Sequence, residues 1–352
     1  MRLSLLCVGV LAVATSTEAK PVITIFDVPH ATQVFQGGTA PIGMNQNGDV
    51  TGYYTTKSVR HGFIRTADGQ YLTFVVRHRA HTFPLAINDA RAVTGVVRTE
   101  RGVPRGFLRT PDGAVTLLDP PGSGGSSYGT EPLVIDDAGN IGGYYEDVAG
   151  VLHGFLRAPD GTYAVYDAPG GGRDPGEGTF VTNMTAKDHL VGYSFDTQAG
   201  QFGFTRSASG RRQVQFAYPG ATATSPQAMN DGGVITGYYT NADEVWHGLV
   251  GTTGGGFASF DAPSGGTLAG AGTTGYAVNK SGLIGGFAID DNFAYHGFLR
   301  KASGEIVPID IEGAGTDANK GTIVEAVSDA GVVMGYFTDA NGVNHGFLRS
   351  RD

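Results

Sequence analysis

The sequence predicts an all-β protein, a seven-bladed β-propeller with four-stranded antiparallel blades. Seven copies of a repeat each hold four short runs rich in β-branched and aromatic residues, separated by Gly, Asp, Asn and Pro. Copies of about 40 to 50 residues with four strands each match propeller blades. No long apolar pattern of helical period appears after residue 20. A His-Gly-Phe-type triplet marks each copy, and its glycines are Gly62, Gly106, Gly154, Gly203, Gly248, Gly297 and Gly346.

Two further markers keep the same register as the triplet. One is a polar residue seven positions before a glycine: Asn45, Asn88, Asp136, Thr185, Asn230, Asn279 and Ser328. We call it the turn marker. The other is a threonine six positions before the turn marker: Thr39, Thr82, Thr130, Thr179, Thr224, Thr273 and Thr322. Three markers in one register over seven copies indicate a repeated structural unit.

The four runs of each copy, strands a to d, are predicted to be joined by tight turns. The a–b connection is Asn-Asp-x-Gly or a relative of it. The c–d connection is Asp-Gly in several copies, as at Asp68-Gly69 and Asp112-Gly113. These dipeptides accept the positive φ that short hairpins require. Each copy is therefore expected to fold as an antiparallel meander.

The first strand of the chain is predicted to close the ring. Val22 to Pro29 has the pattern of strand d, whereas the last copy stops after its strand c at Phe347 to Arg349. The N-terminal strand would then complete the seventh blade, which removes two open sheet edges.

Residues 1–19 read as a signal peptide, and residues 20–352 as one propeller domain. Arg2 precedes an apolar stretch from Leu3 to Ala14, and Ala19 ends a short cleavage motif. The stretch is too short to span a bilayer. It contains Cys7, the only cysteine. We therefore expect a secreted or periplasmic monomer with no membrane span and no thiol chemistry.

The overall charge argues against nucleic acid as a partner. The formal net charge is −9, and no basic tract or stripe occurs.

The triplets and the Tyr-Asp-Ala-Pro-Gly pieces, in an Asn-Asp-x-Gly frame, resemble the extracellular HAF-repeat proteins of bacteria. That family is named for a His-Ala-Phe triplet. Here the triplet begins with His61, His153, His247, His296 and His345, whereas Arg105 and Phe202 replace the histidine in copies two and four. The resemblance covers residues 22–350 and implies an extracellular repeat protein. It carries over no catalytic residue.

The repeated histidines and aspartates are expected to be structural. Equivalent residues spread around a wide ring cannot converge on one metal ion, whose ligands lie about 2 Å from it. We expect each histidine to tie strand c to a neighbouring turn, and no metal or cofactor. The aspartates that follow strand d are expected to cap the next turn. They are Asp27, Asp119, Asp167, Asp261 and Asp310.

A binding site should lie where the copies differ. Strand a is innermost in a propeller and borders the axial channel. Its positions five and three before the turn marker are mostly apolar, with polar exceptions that are candidates for a pocket at the channel mouth: Glu131, Gln227, Tyr276 and Glu325.

Copy two also departs from the repeat, toward positive charge. Its d–a loop carries Arg77, His78, Arg79 and His81, and Arg105 lies on its strand c. Lys57, Arg60 and His61 of copy one are expected nearby. Arginine is a bidentate partner for carboxylate, sulfate or phosphate, so this region is a candidate anion site.

Three functions fit these features. The leading one is a binding scaffold for an extracellular glycan or protein on the face that bears the d–a and b–c loops. The second is a lyase or hydrolase of acidic polysaccharides. In it Arg77, Arg79 or Arg105 would neutralise a uronate, and His78, His81 or Tyr276 would transfer protons. The third is a structural matrix protein. An enzyme predicts that these side chains converge in one pocket.

Overall fold

The computed structural model describes residues 20–98, 102–124, 127–187, 189–207, 209–254 and 256–351. These residues form 28 β-strands and no helix, so the prediction of an all-β chain is confirmed. In the part of the chain that is described, no helix has the length and hydrophobicity needed to cross a membrane. The predicted signal peptide lies outside the described residues.

The strands follow the repeat. Strand d of the last copy is β1 Ile23–Phe26. The a strands are β2 Thr39–Met44, β6 His81–Ile87, β10 Thr130–Ile135, β14 Gly178–Met184, β18 Ala223–Met229, β22 Gly272–Val278 and β26 Gly321–Val327. The b strands are β3 Val50–Thr56, β7 Val93–Arg98, β11 Ile141–Glu146, β15 Leu190–Asp196, β19 Val234–Thr240, β23 Ile284–Ile289 and β27 Val333–Thr338. The c strands are β4 Val59–Arg65, β8 Arg105–Arg109, β12 Leu152–Arg157, β16 Gly200–Arg206, β20 Trp246–Thr252, β24 Tyr295–Arg300 and β28 Asn344–Arg349. The other d strands are β5 Tyr71–Phe74, β9 Val115–Leu118, β13 Tyr163–Tyr166, β17 Gln213–Phe216, β21 Phe257–Phe260 and β25 Ile306–Ile309.

Consecutive strands of a copy pair antiparallel. Strands β2 to β5 and β6 to β9 form two separate four-stranded sheets. From β10 onward the copies are also linked by parallel pairings of a single residue pair, such as Trp246 with Gly272. These links join β10 to β28 and β1 into one continuous sheet.

The predicted pairing of the first strand with the last is present. Strand β1 runs antiparallel to β28, with Ile23 opposite Arg349 and Phe26 opposite Gly346. The Val22 backbone N donates to Ser350 Oγ at 2.8 Å. Phe26 covers Gly346, with its ring 2.6 Å from the place a Cβ would take there, just as Phe74 covers Gly62. The first strand thus occupies the place of a strand d.

The a strands contact one another in sequence, and β26 contacts β2, so they form a closed ring. The marker threonines are buried and fasten each copy to the strand d before it. Their hydroxyls accept hydrogen bonds from the backbone nitrogens of Val28, Val76, Ala168, Tyr218, Ala262 and Ile311. At Thr130 the equivalent donor position is Pro120, which has no N–H.

The turn markers link the a–b turns around the axis. Asn45 Nδ2 donates to the Asn88 carbonyl at 3.0 Å, and Asn279 Nδ2 donates to the Ser328 carbonyl at 2.9 Å. The ring of turns is closed where the Asp329 backbone N donates to Gln46 Oε1 at 2.9 Å. The Asn45 and Asn279 hydrogen bonds are buried, and each such bond stabilises by about 1 kcal/mol.

The core lies between neighbouring copies. The last residue of each triplet, a phenylalanine in six copies and Leu249 in copy five, is fully buried. In three copies the phenylalanine packs edge-on against the aromatic residue that ends the preceding strand d. Phe107 contacts Phe74 and Phe204 contacts Tyr166, with ring centroids 6.4 and 6.3 Å apart. Burying one such side chain stabilises the fold by roughly 1.5 to 3 kcal/mol. No copy buries its phenylalanine alone, so the copies depend on one another.

The connections lie on two opposite faces. Asp49 of an a–b turn accepts a hydrogen bond from the Ala67 backbone N of a c–d turn at 3.1 Å. We call this side the turn face. Thr32 of a d–a loop donates from its backbone N to the Thr55 carbonyl next to a b–c loop at 2.7 Å. We call this side the loop face.

Candidate binding sites on the axis and on the loop face

A β-bulge in every a strand turns one side chain toward the axis. The pairing of strands a and b skips the residue three positions before the turn marker in all seven copies. A bulge leaves its extra residue unpaired and re-aims its side chain. The skipped residues are Ile42, Leu85, Leu133, Thr182, Gln227, Tyr276 and Glu325. All seven line an axial cavity of about 570 Å³.

The axial cavity extends from the bulged residues to the a–b turns, and it therefore lies at the turn face. Its wall has two chemically different halves. Ile42, Leu85 and Leu133 follow one another around the apolar half. The polar half is formed by the four strands that follow. Its bulged residues are Thr182, Gln227, Tyr276 and Glu325.

Three of the predicted pocket residues meet in this polar half. Gln227, Tyr276 and Glu325 lie on the consecutive a strands β18, β22 and β26. The Gln227 amide donates to Ser225 Oγ at 3.0 Å, which fixes its orientation. Tyr276 is 38% exposed because it faces the open cavity.

Glu325 is the most unusual group of the cavity. Its Oε2 atom is buried and has no hydrogen-bond partner among the described residues. Burial raises the pKa of Glu325 to about 8. The charge of Glu325, followed by burial, raises the pKa of Tyr276. Burial first and then Glu325 raise the pKa of Tyr336. At neutral pH this carboxyl is therefore mostly protonated and faces phenols rather than a cation.

Glu131 was predicted as a further pocket residue, and it is not among the residues that line the axial cavity. It lies two positions before the bulge of its strand. Its side chain is buried and forms an ion pair with Arg98. Burial raises the pKa of Glu131, and Arg98 opposes this shift. Because Arg98 lies on β7 and Glu131 on β10, this ion pair joins two neighbouring copies.

The repeated histidines and aspartates form pairs. His153 Nδ1 is 2.6 Å from Asp167 Oδ1, and its Nε2 is 3.3 Å from Asp147 Oδ2 in the b–c turn. His296 bridges Asp310 and Asp290 in the same way. The pairs His247–Asp261, His345–Asp27 and Arg105–Asp119 follow the same pattern. These aspartates were predicted to cap a turn. Their carboxylates instead bind the strand c side chain, which corrects that prediction.

Removing one of these histidines is expected to cost stability. We expect His153→Ala to lower the free energy of unfolding by about 1 to 2 kcal/mol, because two hydrogen bonds to carboxylates are lost. Urea denaturation measures the change. His61→Ala is the matched control, since His61 has no carboxylate partner, and its loss should be less than half as large. Equal losses would contradict a role of the carboxylates.

Copy one lacks both partners of its histidine. Thr55 and Val75 occupy the places where the His153 copy has Asp147 and Asp167. His61 Nε2 lies 2.6 Å from Thr56 Oγ1 instead. Burial, and next the neighbouring His81, lower the pKa of His61. His61 is therefore mostly neutral at pH 7, and it forms no ion pair with a carboxylate among the described residues.

A set of cationic groups belongs to two connections of the loop face, the b–c turn of copy one and the loop after β5. The Arg60 guanidinium lies over the rings of Tyr53 and Phe83, 5.3 Å from each centroid. The Arg60 backbone N donates to His81 Nδ1 at 3.3 Å. The exposed loop after β5 adds Arg77, His78 and Arg79. Their side chains make no hydrogen bond or ion pair with any other described residue. We call the whole set the cationic patch: Lys57, Arg60, His61, Arg77, His78, Arg79 and His81.

Arg105 was expected to belong to this patch as a ligand-binding residue. It instead forms an ion pair with Asp119. The carboxylate compensates its charge, and we therefore exclude it from the patch.

The groups required by the enzymatic alternative do not share one pocket. Tyr276 lines the axial cavity at the turn face, whereas His78 and His81 belong to the loop face. Within the described residues, neither arginine nor histidine lines the axial cavity. The same residues contain no group of three or more His, Cys, Asp or Glu side chains placed to hold a metal ion.

Comparison with solved structures defines the class of protein as a β-propeller. Virginiamycin B lyase from Staphylococcus aureus matches with a TM-score of 0.55 and 16% identity over 93% of this chain and 99% of its own. The BP39L lectin from Burkholderia pseudomallei matches with a TM-score of 0.55 and 11% identity over 89% and 96%. A chain of the mitotic checkpoint complex matches with a TM-score of 0.55 and 12% identity over 100% and 99%. Identities this low define the fold and no ligand.

No protein-family model matches the chain, and a search of curated proteins gives no match.

Proposed function

We propose that this chain is a secreted or periplasmic HAF-repeat protein with a seven-bladed propeller of four-stranded blades. In this proposal it acts as a monomeric scaffold that binds an anionic extracellular ligand on its loop face, and an acidic glycan is the favoured class. The ring of a strands and the pairing of β1 with β28 support the blade count. The repeat motifs and the predicted signal peptide support the location.

The functional proposal rests on one difference between the copies: neither position beside His61 holds the carboxylate found at the equivalent position of the His153 copy. Elsewhere on the loop face the strand c histidines and Arg105 face aspartates. Copy one has Thr55 and Val75 at those places, while Arg77 and Arg79 project from the adjacent loop. On a protein with a net charge of −9, this patch is a local source of positive potential. Such a patch attracts anions and raises their local concentration.

Arginine suits uronate or sulfate groups in particular. Its planar guanidinium donates two parallel hydrogen bonds to one oxyanion. Arg77 and Arg79 are exposed and unpaired among the described residues, so both are available for this contact. The lectin mentioned above shares only the fold, and it is an example of a propeller that serves carbohydrate recognition.

A lyase acting on an acidic glycan is the second candidate, and one observation favours it. His61 and His81 lie beside Arg60, and His61 has a lowered pKa. Arginine neutralisation of a uronate acidifies the adjacent carbon, from which a neutral imidazole can remove a proton. The appearance of unsaturated product during incubation with a polyuronate distinguishes this candidate from binding alone.

Replacing two arginines tests the anion site. We expect Arg77→Ala together with Arg79→Ala to weaken polygalacturonate binding by about tenfold, because two charge-assisted contacts are lost. Titration calorimetry measures the affinity, and added salt should weaken wild-type binding, since exposed charges are screened over about 10 Å at 0.1 M ionic strength.

The matched control is Arg211→Ala together with Arg212→Ala, in the exposed c–d turn on the opposite face. This pair should leave binding unchanged. Equal losses of affinity in both double variants would show that binding depends on the overall positive charge and not on the cationic patch. Unchanged binding in the Arg77/Arg79 variant would place the site elsewhere.

A further inference from the structure

The axial cavity has the size and wall of a small-molecule site, and the loop-face function does not use it. Its volume of about 570 Å³ falls within the roughly 300 to 1,000 Å³ of ligand pockets. One half of its wall is apolar, with Ile42, Leu85 and Leu133, and the other half is polar. Such a division suits a ligand with a hydrocarbon part and one polar group.

Glu325 forms no ion pair with any other described residue. A buried carboxylate is normally paired with a cation or multiply hydrogen-bonded, since an unpaired buried charge is costly. Glu325 Oε2 has neither partner among the described residues. The charged and titratable groups that act on it are the phenols of Tyr53 on β3, Tyr276 on β22 and Tyr336 on β27. None of these supplies a positive charge.

The rim of the axial cavity adds negative charge. The residue after each turn marker borders the opening. Four of these seven are aspartates and one is a lysine, in the order Gln46, Asp89, Asp137, Ala186, Asp231, Lys280 and Asp329. Several of the aspartates accept a hydrogen bond from the backbone of the preceding turn, as Asp89 Oδ1 does from Gln46 at 2.8 Å. These carboxylates are fixed at the entrance, where their negative charge attracts cations.

We propose that the axial cavity binds a small organic ammonium ion, with the ammonium group against Glu325 and Tyr276 and the hydrocarbon part against Ile42, Leu85 and Leu133. The ammonium ion serves as the counter-ion that Glu325 does not have among the described residues, whose one basic side chain in the cavity wall, Lys280, lies at the rim. The ring of Tyr276, which also lines the cavity, favours it further, because aromatic faces attract cations. This site is at the opposite face from the cationic patch, and its test is independent of the proposed function.

Binding of an ammonium ion should expel a proton. Burial holds the pKa of Glu325 at about 8 in the free protein, so the free carboxyl is protonated at neutral pH. A bound cation favours the carboxylate, and the proton passes to the buffer. Affinity should therefore rise with pH until it levels off near pH 8, by at most about tenfold per unit. A neutral ligand that accepts a hydrogen bond from the protonated carboxyl would show the opposite trend.

The experiment compares 2-phenylethylammonium with 2-phenylethanol, two probes of similar shape and different charge, by titration calorimetry. We expect the ammonium ion to bind wild-type protein at least about tenfold more tightly near pH 8, and to release protons detectable as a dependence on buffer ionisation enthalpy. Glu325→Gln should abolish this preference while it leaves binding of the alcohol within about twofold.

Glu131→Gln is the matched control, since Glu131 is a buried carboxyl on another a strand that does not line the axial cavity. It should keep the ammonium preference, and so should the Arg77/Arg79 double variant. Equal affinity of the two probes for wild-type protein, affinity that falls with rising pH, or no binding of either probe would each overturn the proposal. The affinities of the two probes for wild-type protein and their pH dependence test the proposal even where a variant fails to fold.

Discussion

Deletion of residues 20–29 is expected to lower the midpoint of thermal unfolding by roughly 10 °C or more, since a loss of several kcal/mol has this effect in a chain of this size. The deletion removes β1 and with it the ladder to β28. It also removes Phe26 and Val28, which are buried against Phe63 and Met334, and the donor to the Thr39 hydroxyl. Differential scanning calorimetry measures the midpoint.

The same deletion should promote aggregation, because β28 becomes an open edge strand. Light scattering during size-exclusion chromatography detects it. The control variant carries Ile23→Thr and Ile25→Thr, both exposed on β1, and it should keep the pairing and the wild-type midpoint. A deletion variant as stable as the wild type would refute closure by β1.

Gly272→Ala is expected to lower the free energy of unfolding by roughly 3 to 5 kcal/mol. Gly272 has φ +125, and an added Cβ would lie 1.9 Å from the Trp246 carbonyl oxygen. This is the single residue pair at which β20 meets β22. The backbone must shift to make room, which separates two copies of the repeat. Urea denaturation gives the change in free energy.

Gly220→Ala is the matched control. Gly220 has φ +79, but no atom lies within 4 Å of an added Cβ. This variant incurs only the backbone cost of about 1 to 2 kcal/mol. If both alanine variants were equally destabilised, close approach at the Trp246 carbonyl would not be what requires glycine at position 272.

Much of the strand order could be read from the register of the markers. Thr39 and Asn45 frame β2, and Thr322 and Ser328 frame β26, because the same backbone geometry recurs in each copy. The functions of these residues could not be read from the sequence. The Thr39 hydroxyl accepts from Val28 and the Asn45 amide donates to Asn88, and both bonds join different copies.

The residues of the candidate pocket were only partly predictable, because the backbone geometry that orients them is not visible in the sequence. Gln227, Tyr276 and Glu325 line the axial cavity, and Glu131 does not. A regular strand would point positions five and three before the turn marker to the same side. The bulge turns position three alone toward the axis, and no residue type in the sequence marks it, since Leu133 and Glu325 occupy it equally.

Other features were accessible from the sequence and were missed. The spacing of 14 residues between His153 and Asp167 recurs at His247 and His296. Such a fixed offset between a base and an acid predicts pairing across neighbouring strands. It also would have shown that copy one, with Val75 at that offset from His61, is the exception.

The pairing of β1 with β28 also constrains the order in which the chain can fold. Val22 and Ser350 are 328 positions apart, so this contact closes a loop that spans nearly the whole protein. Entropy makes such contacts late events, and folding slows as the separation of contacts grows. During synthesis β1 emerges first, and its partner strand emerges last. Its apolar residues Ile23, Ile25 and Phe26 therefore stay unpaired until β28 has been synthesised. During that period an unpaired strand can pair wrongly with neighbouring strands.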